Sequence, residues 1–214
     1  IFVAGLGVPR EVIDLLHSKN ILVGSMCGKV RHAVSAVASG VDFVVAQGTE
    51  GGGHTGTVAT LALVPQVVDA VGEKVPVVAA GGLFDGRGLA ASIALGADGV
   101  WIGTRFIATP EARAVAGYKD ALLGLAEDGT VISKSYTGKT CRVVRNEWTN
   151  YYEQHPAELQ PFPQQAIAST RAGVNHLGGE DGLQVDSNRE FMPCGQGVGA
   201  IDALVPAGDI VRNM

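Results

Sequence analysis

The sequence predicts a parallel α/β fold, and three observations carry that expectation. Short runs rich in Val and Ile are apolar at consecutive positions rather than alternating, as strands covered on both faces of a parallel sheet should be. Segments with helical spacing separate these runs, at roughly 20–30 residues per unit, the spacing of βα repeats. Glycines, thirty in 214 residues, cluster after the apolar runs, where tight turns at strand ends belong.

Taken in order, strands are expected at Ile1–Leu6, Ile21–Ser25, Asp42–Gln47, Pro76–Ala80 and Gly99–Phe106. Pro9 marks the start of a helix carrying Val12, Ile13, Leu15 and Leu16 on one face. Further helical patterns run from Val30 to Val37, Leu61 to Val71 and Gly88 to Leu95. After Thr109-Pro110 the pattern changes. A helix-like stretch over Glu111–Leu125 leads into a polar and aromatic region, Thr130–His155. Three prolines make Pro156–Pro163 an extended connector. A helix is expected near Gln164–Ala172, a polar loop around Gly178–Arg189, and a last helical pattern over Gly199–Val211.

Two parallel architectures compete, an open doubly wound sheet and a closed barrel. The open sheet would announce a nucleotide site by GxGxxG after its first strand. The glycine clusters instead follow later strands, at Gly51-Gly52-Gly53, Gly81-Gly82 and Gly103, which favours the active face of a (β/α)8 TIM barrel. Five strands cannot close an eight-stranded barrel. The expected organisation is therefore the last five βα units over residues 1–125, about three units preceding Ile1, and a C-terminal appendage over 126–214. The opening Ile1-Phe2-Val3-Ala4-Gly5, an apolar strand without an initiator Met, reads as the interior of a longer protein.

Composition narrows the function. A chain 46% hydrophobic and 17% charged belongs with globular proteins. The net charge of −5 and pI near 5.5 argue against a nucleic-acid partner. No stretch approaches the roughly 18 apolar residues of a membrane span. Cys27, Cys141 and Cys194 are odd in number and lack CxxC spacing, so a reduced, cytoplasmic setting is expected. His17, His32, His155 and His176 show no metal-ligand spacing, and no metal is expected.

The segment Gln47-Gly48-Thr49-Glu50-Gly51-Gly52-Gly53-His54-Thr55-Gly56 directly follows a strand. Three glycines let a backbone approach a flat ligand, and an imidazole after them can exchange a proton near neutral pH. A glycine-rich turn whose histidine merely caps a carbonyl is the competing explanation, and on these residues alone the two stand level. Gly81-Gly82, with Asp85-Gly86-Arg87-Gly88 opening a helix, and Gly103-Thr104 close the last two strands. A phosphate is often held at such positions in barrels by backbone N–H groups, and the Thr104 hydroxyl could donate to it; simple βα turns would look the same. The lack of a Walker or dinucleotide fingerprint favours a mononucleotide such as FMN over ATP or NAD. Cys27 fits a small buried hydrophobe, and Trp148, Tyr151 and Tyr152 fit a packing cluster.

Three stretches carry a more specific likeness. AQGTEGGGHTG at Ala46–Gly56, VPVVAAGGLFDGRGLAASIALGADGVWIGTRF at Val75–Phe106 and PCGQGVGAID at Pro193–Asp202 resemble nitronate monooxygenases, also called 2-nitropropane dioxygenases, in order and over nearly the whole chain. The resemblance implies a TIM barrel binding FMN without a covalent link. His54 would be the base that deprotonates carbon beside the reacting group. Gln47, Gly52 and Gly53 would line the isoalloxazine, Gly81, Gly82, Gly103 and Thr104 would hold the phosphate, and Ser25 would be a weaker cofactor contact. The family loop usually reads EAGGH, where this chain has Glu50-Gly51-Gly52-Gly53-His54. The implied reaction takes a small-molecule nitronate and dioxygen to a carbonyl compound and nitrite, with an assembly of identical chains left open. The scaffold also resembles flavin-dependent enoyl-thioester reductases using NAD(P)H; for these, Lys139, Arg142 and Arg145 could meet a CoA phosphate or form an ordinary solvated face. A third expectation is an inactive fragment that needs further strands.

Overall fold

The computed structural model describes residues 1–5, 7–176, 183 and 185–214, and the chain divides into two compact units. Residues 1–49 and 56–102 form the first; residues 50–55 and 103–214 form the second.

A repeated three-residue phrase organises the first unit. Gly40-Val41-Asp42 and Gly96-Ala97-Asp98 each combine a left-handed glycine (φ 98° and 89°) with an aspartate just before a strand. Glycine is the residue that adopts that conformation without penalty, so the chain turns sharply out of a helix. The aspartate then accepts the first N–H of the neighbouring strand: Val23 donates to Asp42 at 2.7 Å and Val77 to Asp98 at 2.8 Å. Each phrase thus pins the start of one strand to the start of the next.

The strands so aligned are β1 (Phe2–Ala4), β2 (Val23–Cys27) and β3 (Phe43–Gln47), followed after a two-residue strand, β4 (Gly53–His54), by β5 (Val77–Ala80) and β6 (Gly99–Trp101). All but β4 form one parallel sheet in the order β1-β2-β3-β5-β6. Neighbours in space follow neighbours in sequence, with no reversal of strand order. That is how a barrel wall is laid down; a doubly wound sheet would reverse at a switch point. The helices between are α1 (Arg10–His17), α2 (Val30–Ser39), α3 (Thr60–Val71) and α4 (Gly86–Ala94). The core is aliphatic: Val44, Ala46, Val77 and Ala79 from the sheet meet Leu63, Val64 and Val67 from α3, with Ile13 and Ala33 from the flanking helices. The five expected strands are therefore all present; four are shorter than the apolar runs, and β2 starts two residues later than expected and runs on to Cys27. Leu6, in the first expected run, lies outside the described residues.

The second unit is built differently. It contains α5 (Thr104–Ile107), α6 (Ala116–Leu123), β7 (Thr130–Ser133), β8 (Cys141–Val144), α7 (Glu147–Gln154), α8 (Gln164–Arg171) and α9 (Ala207–Arg212). Its sheet is antiparallel, in the order β4-β8-β7. The helix expected over Glu111–Leu125 begins only at Ala116. The last helical pattern, expected over Gly199–Val211, splits into a 3-10 turn at Gln196–Ala200 and α9, with Pro206 standing between as the residue that caps α9. The region Thr130–His155 holds a hairpin and a helix. Much of the polar loop expected around Gly178–Arg189 lies outside the described residues. No helix among the described residues is long and apolar enough to cross a membrane.

Candidate active site

Within the first unit, four of the expected residues lie on the parallel strands or directly after them. Ser25 is buried on β2 and opens onto a cavity of about 360 Å³ shared with Gly5, Gly7, Met26, His32 and Ser35. Gln47 closes β3, and Gly81-Gly82 follows β5 with two successive positive φ angles of 105° and 71°. The turns after β3 and β5 are knitted together. Gly48 N–H donates to the Ala80 carbonyl at 2.9 Å, and the Thr60 hydroxyl donates to the Gly81 carbonyl at 2.9 Å. A Cβ on Gly48 would stand 2.1 Å from the Thr60 Oγ1, and one on Gly81 would stand 2.8 Å from the same atom. These two glycines are explained by the chain's own close packing. Thr60 is a residue that sequence reading passed over; its only signal was its place at the start of a helix.

Within the second unit, His54 is presented by β4. Gly53, at φ 83°, pairs with Arg142 and His54 pairs with Cys141 in the antiparallel ladder. Thr55 N–H donates to the Thr140 carbonyl at 3.3 Å and the Thr140 hydroxyl donates back to the Thr55 carbonyl at 3.2 Å, so the strand is held at both residues flanking the imidazole. The His54 Nε2 lies 3.0 Å from the Thr137 Oγ1. Burial first, and then the positive charge of Lys139, hold its pKa below the ordinary 6.5 and so favour the neutral ring. A neutral imidazole on a fixed backbone, exposed enough to meet a small molecule, is equipped to accept a proton.

The loop before His54 interlocks with the segment Cys194–Gln196. Gln196 N–H donates to the Glu50 carbonyl at 2.9 Å, and a Cβ on Gly52 would come within 2.8 Å of the Cys194 backbone. Gly195 would likewise press a Cβ to 2.9 Å from the Glu50 carbonyl. The Thr104 hydroxyl oxygen accepts the Gly195 N–H at 3.0 Å, leaving its own proton to be given. Gly103 stands apart from these tight contacts. Its φ of −103° is open to any residue and, beyond its chain neighbours, no atom of the described residues lies within 4 Å of where its Cβ would be, so a side chain there would meet open space.

The three cations considered for an anion-binding face do not form one. Arg142 is buried, hydrogen-bonded to Thr130 and opposite the Glu50 charge; burial pulls its pKa down and Glu50 opposes that. Lys139 rests over the Phe162 ring at 4.0 Å, and Arg145 pairs with Glu153 at 2.8 Å. All three cysteines are buried thiols; burial pushes Cys27 up to about 11 and Cys141 and Cys194 up to about 12, so none is poised as a thiolate. Among the described residues, no group of three or more His, Cys, Asp or Glu could hold a metal ion.

Comparison with known proteins identifies a family. A family model described as nitronate monooxygenase matches residues 1–214. A putative monooxygenase of Mycobacterium tuberculosis is 39% identical over 209 residues, covering 96% of this chain and 55% of the relative. A probable nitronate monooxygenase of Staphylococcus aureus is 36% identical over 188 residues, covering 82% of this chain and 52% of the relative. Among solved structures, FabK from Thermotoga maritima superposes with a TM-score of 0.85 at 32% identity, over 99% of this chain and 65% of its own. A nitroalkane oxidase from Streptomyces ansochromogenes superposes with a TM-score of 0.81 at 31% identity, over 100% of this chain and 62% of its own. The chain thus spans about half the length of the curated relatives it matches. A parallel βα sheet without strand reversal, a GGGH loop seated on its own strand pair and a family match from end to end lead to one conclusion: the chain belongs to the nitronate monooxygenase family.

Proposed function

We propose that the protein is a flavin-dependent oxidoreductase that oxidises alkyl nitronates with dioxygen to a carbonyl compound and nitrite, with His54 as its base. The observation that carries this reading is the presentation of His54: a largely neutral imidazole, held by a strand pair on the backbone and by Thr137 at Nε2. A nitroalkane carbon beside the nitro group is acidic enough for an imidazole to deprotonate, and His54 takes that proton. The strand pair fixes the ring so that little reorganisation is left for the reactive encounter.

The cofactor proposed is FMN. The residues present fit a mononucleotide: Gly103 leaves open the space where a side chain would stand, and Thr104 beside it keeps a hydroxyl proton to donate. Gly103, Thr104, Gly81 and Gly82 would hold the phosphate; Gln47, Gly52 and Gly53 would line the ring system, with Ser25 at the margin. Flavin, when bound, supplies the redox relay between organic substrate and dioxygen.

A second reading, reduction of an enoyl thioester by NAD(P)H, is supported by the likeness to FabK, an enoyl reductase, which is as extensive as the likeness to nitroalkane oxidase. The dispersal of Lys139, Arg142 and Arg145 to an aromatic ring, a buried position opposite the Glu50 charge and a surface ion pair weighs against the CoA-phosphate face that this reading would use.

The test is an absorption spectrum of the purified protein, followed by anaerobic addition of propionate 3-nitronate and, separately, of NADPH. Bleaching by the nitronate alone is expected. Bleaching by NADPH alone would replace the first reading by the second. His54→Asn is expected to lower turnover of a neutral nitroalkane by roughly 10²- to 10⁴-fold, the usual worth of a general base, while leaving turnover of the preformed nitronate nearly intact. Equal turnover of the nitroalkane by both proteins would remove His54 from the mechanism.

A further inference from the structure

The loop that joins β7 to β8 is anchored more heavily than a hairpin turn requires. Gln165, fully buried on α8, donates its side-chain amide to the Ser135 carbonyl, and the buried Ser169 hydroxyl donates to the Tyr136 carbonyl at 2.7 Å. Gly138, at φ 79°, is pressed so closely against residues 160–162 that a Cβ would come within 2.5 Å of the Phe162 nitrogen. What this fixed loop carries to its tip is the buried Thr137 hydroxyl, 3.0 Å from the His54 Nε2.

The Thr137 hydroxyl has one proton and three polar neighbours: the His54 ring, the Lys139 N–H and the Lys139 carbonyl. Its oxygen accepts the Lys139 N–H at 3.2 Å and its proton goes to the Lys139 carbonyl at 3.3 Å. A hydroxyl proton given to that carbonyl leaves the hydrogen of the His54 contact to the ring, as Nε2–H donating to Thr137. A neutral imidazole with its hydrogen on Nε2 has its basic lone pair on Nδ1. We propose that Thr137 is the positioning residue of His54, selecting the Nε2–H tautomer so that Nδ1 is the basic atom, and that α8 acts on the site by holding Thr137 in place. The inference deepens the reading of His54 as base and rests on it for its catalytic consequence, though the tautomer itself does not depend on turnover.

The test uses ring ¹⁵N chemical shifts of His54, which distinguish the two neutral tautomers, in the native protein, Thr137→Ser and Thr137→Val. The native protein and the Ser variant are expected to show the Nε2–H form. The Val variant is expected to show a mixture, with kcat on a neutral nitroalkane lowered roughly 10- to 100-fold, the scale on which histidines suffer when an orienting partner is lost, and KM little changed. A native Nδ1–H ring, or a Val variant whose His54 shifts match the native ones, would overturn the proposal. So would a changed tautomer with unchanged kcat. Failure of the base reading is separate, since it shows as retained nitroalkane turnover in His54→Asn.

Discussion

The two units bury different chemistry. Among the described residues the first buries 17 hydrophobic side chains and three polar ones, Ser25, Thr60 and Ser92; the second buries 13 hydrophobic and 11 polar or charged ones. The aliphatic unit is held by transfer of apolar surface from water, a force without direction. The polar unit is held by bonds that exist only at particular distances and angles. Asn146 caps α7 through Thr149, and its amide also donates to Tyr136 and to the Glu190 carbonyl. Tyr136 stacks on Phe191 at 4.6 Å while its hydroxyl reaches the Arg189 and Glu190 carbonyls. A directional core is the kind of support that a placed side chain such as His54 needs, whereas a nondirectional one suits a scaffold whose function is to repeat.

Four measurements bear on that contrast. Leu63→Ala should cost the first unit ~2–5 kcal/mol in denaturant unfolding, since Leu63 is 1% exposed and the packing around it cannot fully collapse. Leu63→Met, which keeps the volume, should cost less than ~1.5 kcal/mol. The equivalent shape-conserving change in the second unit, Thr149→Val, should cost ~1–3 kcal/mol, because it removes one half of the capping box and leaves the buried Asn146 N–H without its 2.9 Å partner. Should Thr149→Val prove the milder of the two shape-conserving changes, the distinction between the cores is lost. Asp98→Ala should cost about 1 kcal/mol by releasing the Val77 N–H, with activity unchanged. A large loss of activity there would mean that strand alignment reaches the site.

The smallest effect concerns pH. His54 is held below its ordinary pKa, so the free base persists to more acid pH than an exposed histidine allows, and the acid limb of kcat/KM on a neutral nitroalkane should fall below 6.5. Lys139→Met removes a cation and should move that limb upward. The same sign governs stability: a depressed histidine pKa disfavours protonation of the folded state, so its contribution is present above the ordinary value and is lost as pH falls through the folded one. A limb that moves downward in Lys139→Met would contradict the electrostatic account.

How far these features were legible in the sequence follows the same division. Runs such as Val77–Ala80 announce themselves because a parallel strand is apolar at every position, and Pro9 and the repeated glycines mark where elements begin and end. The hairpin and helix inside Thr130–His155 did not announce themselves. In β7, Thr130 is buried while the apolar Ile132 two residues on is exposed, so no apolar alternation marks the strand, and β8 carries a buried arginine. Helix α7 reads Glu-Trp-Thr-Asn-Tyr-Tyr-Glu-Gln, with little apolar periodicity, and its capping box closes with threonine in place of the usual Glu or Gln. His54 was visible through the glycines before it. Thr137 was not, because the two are 83 residues apart and only folding brings them together. Gly52 and Gly53 look alike in sequence, yet the fold explains one by its approach to Cys194 and the other by its positive φ.

The excursion of residues 50–55 into the second unit has a consequence for inheritance. Gly53-His54 is translated inside the βα repeat but finds its strand partners in Arg142 and Cys141. A recombination event joining two relatives between residues 102 and 103 would keep every parallel strand intact and still hand the histidine a foreign seat. Lineages that exchange such segments would therefore be expected to change the base and its support together or to lose turnover, so the chain's natural unit of descent is larger than either folded half.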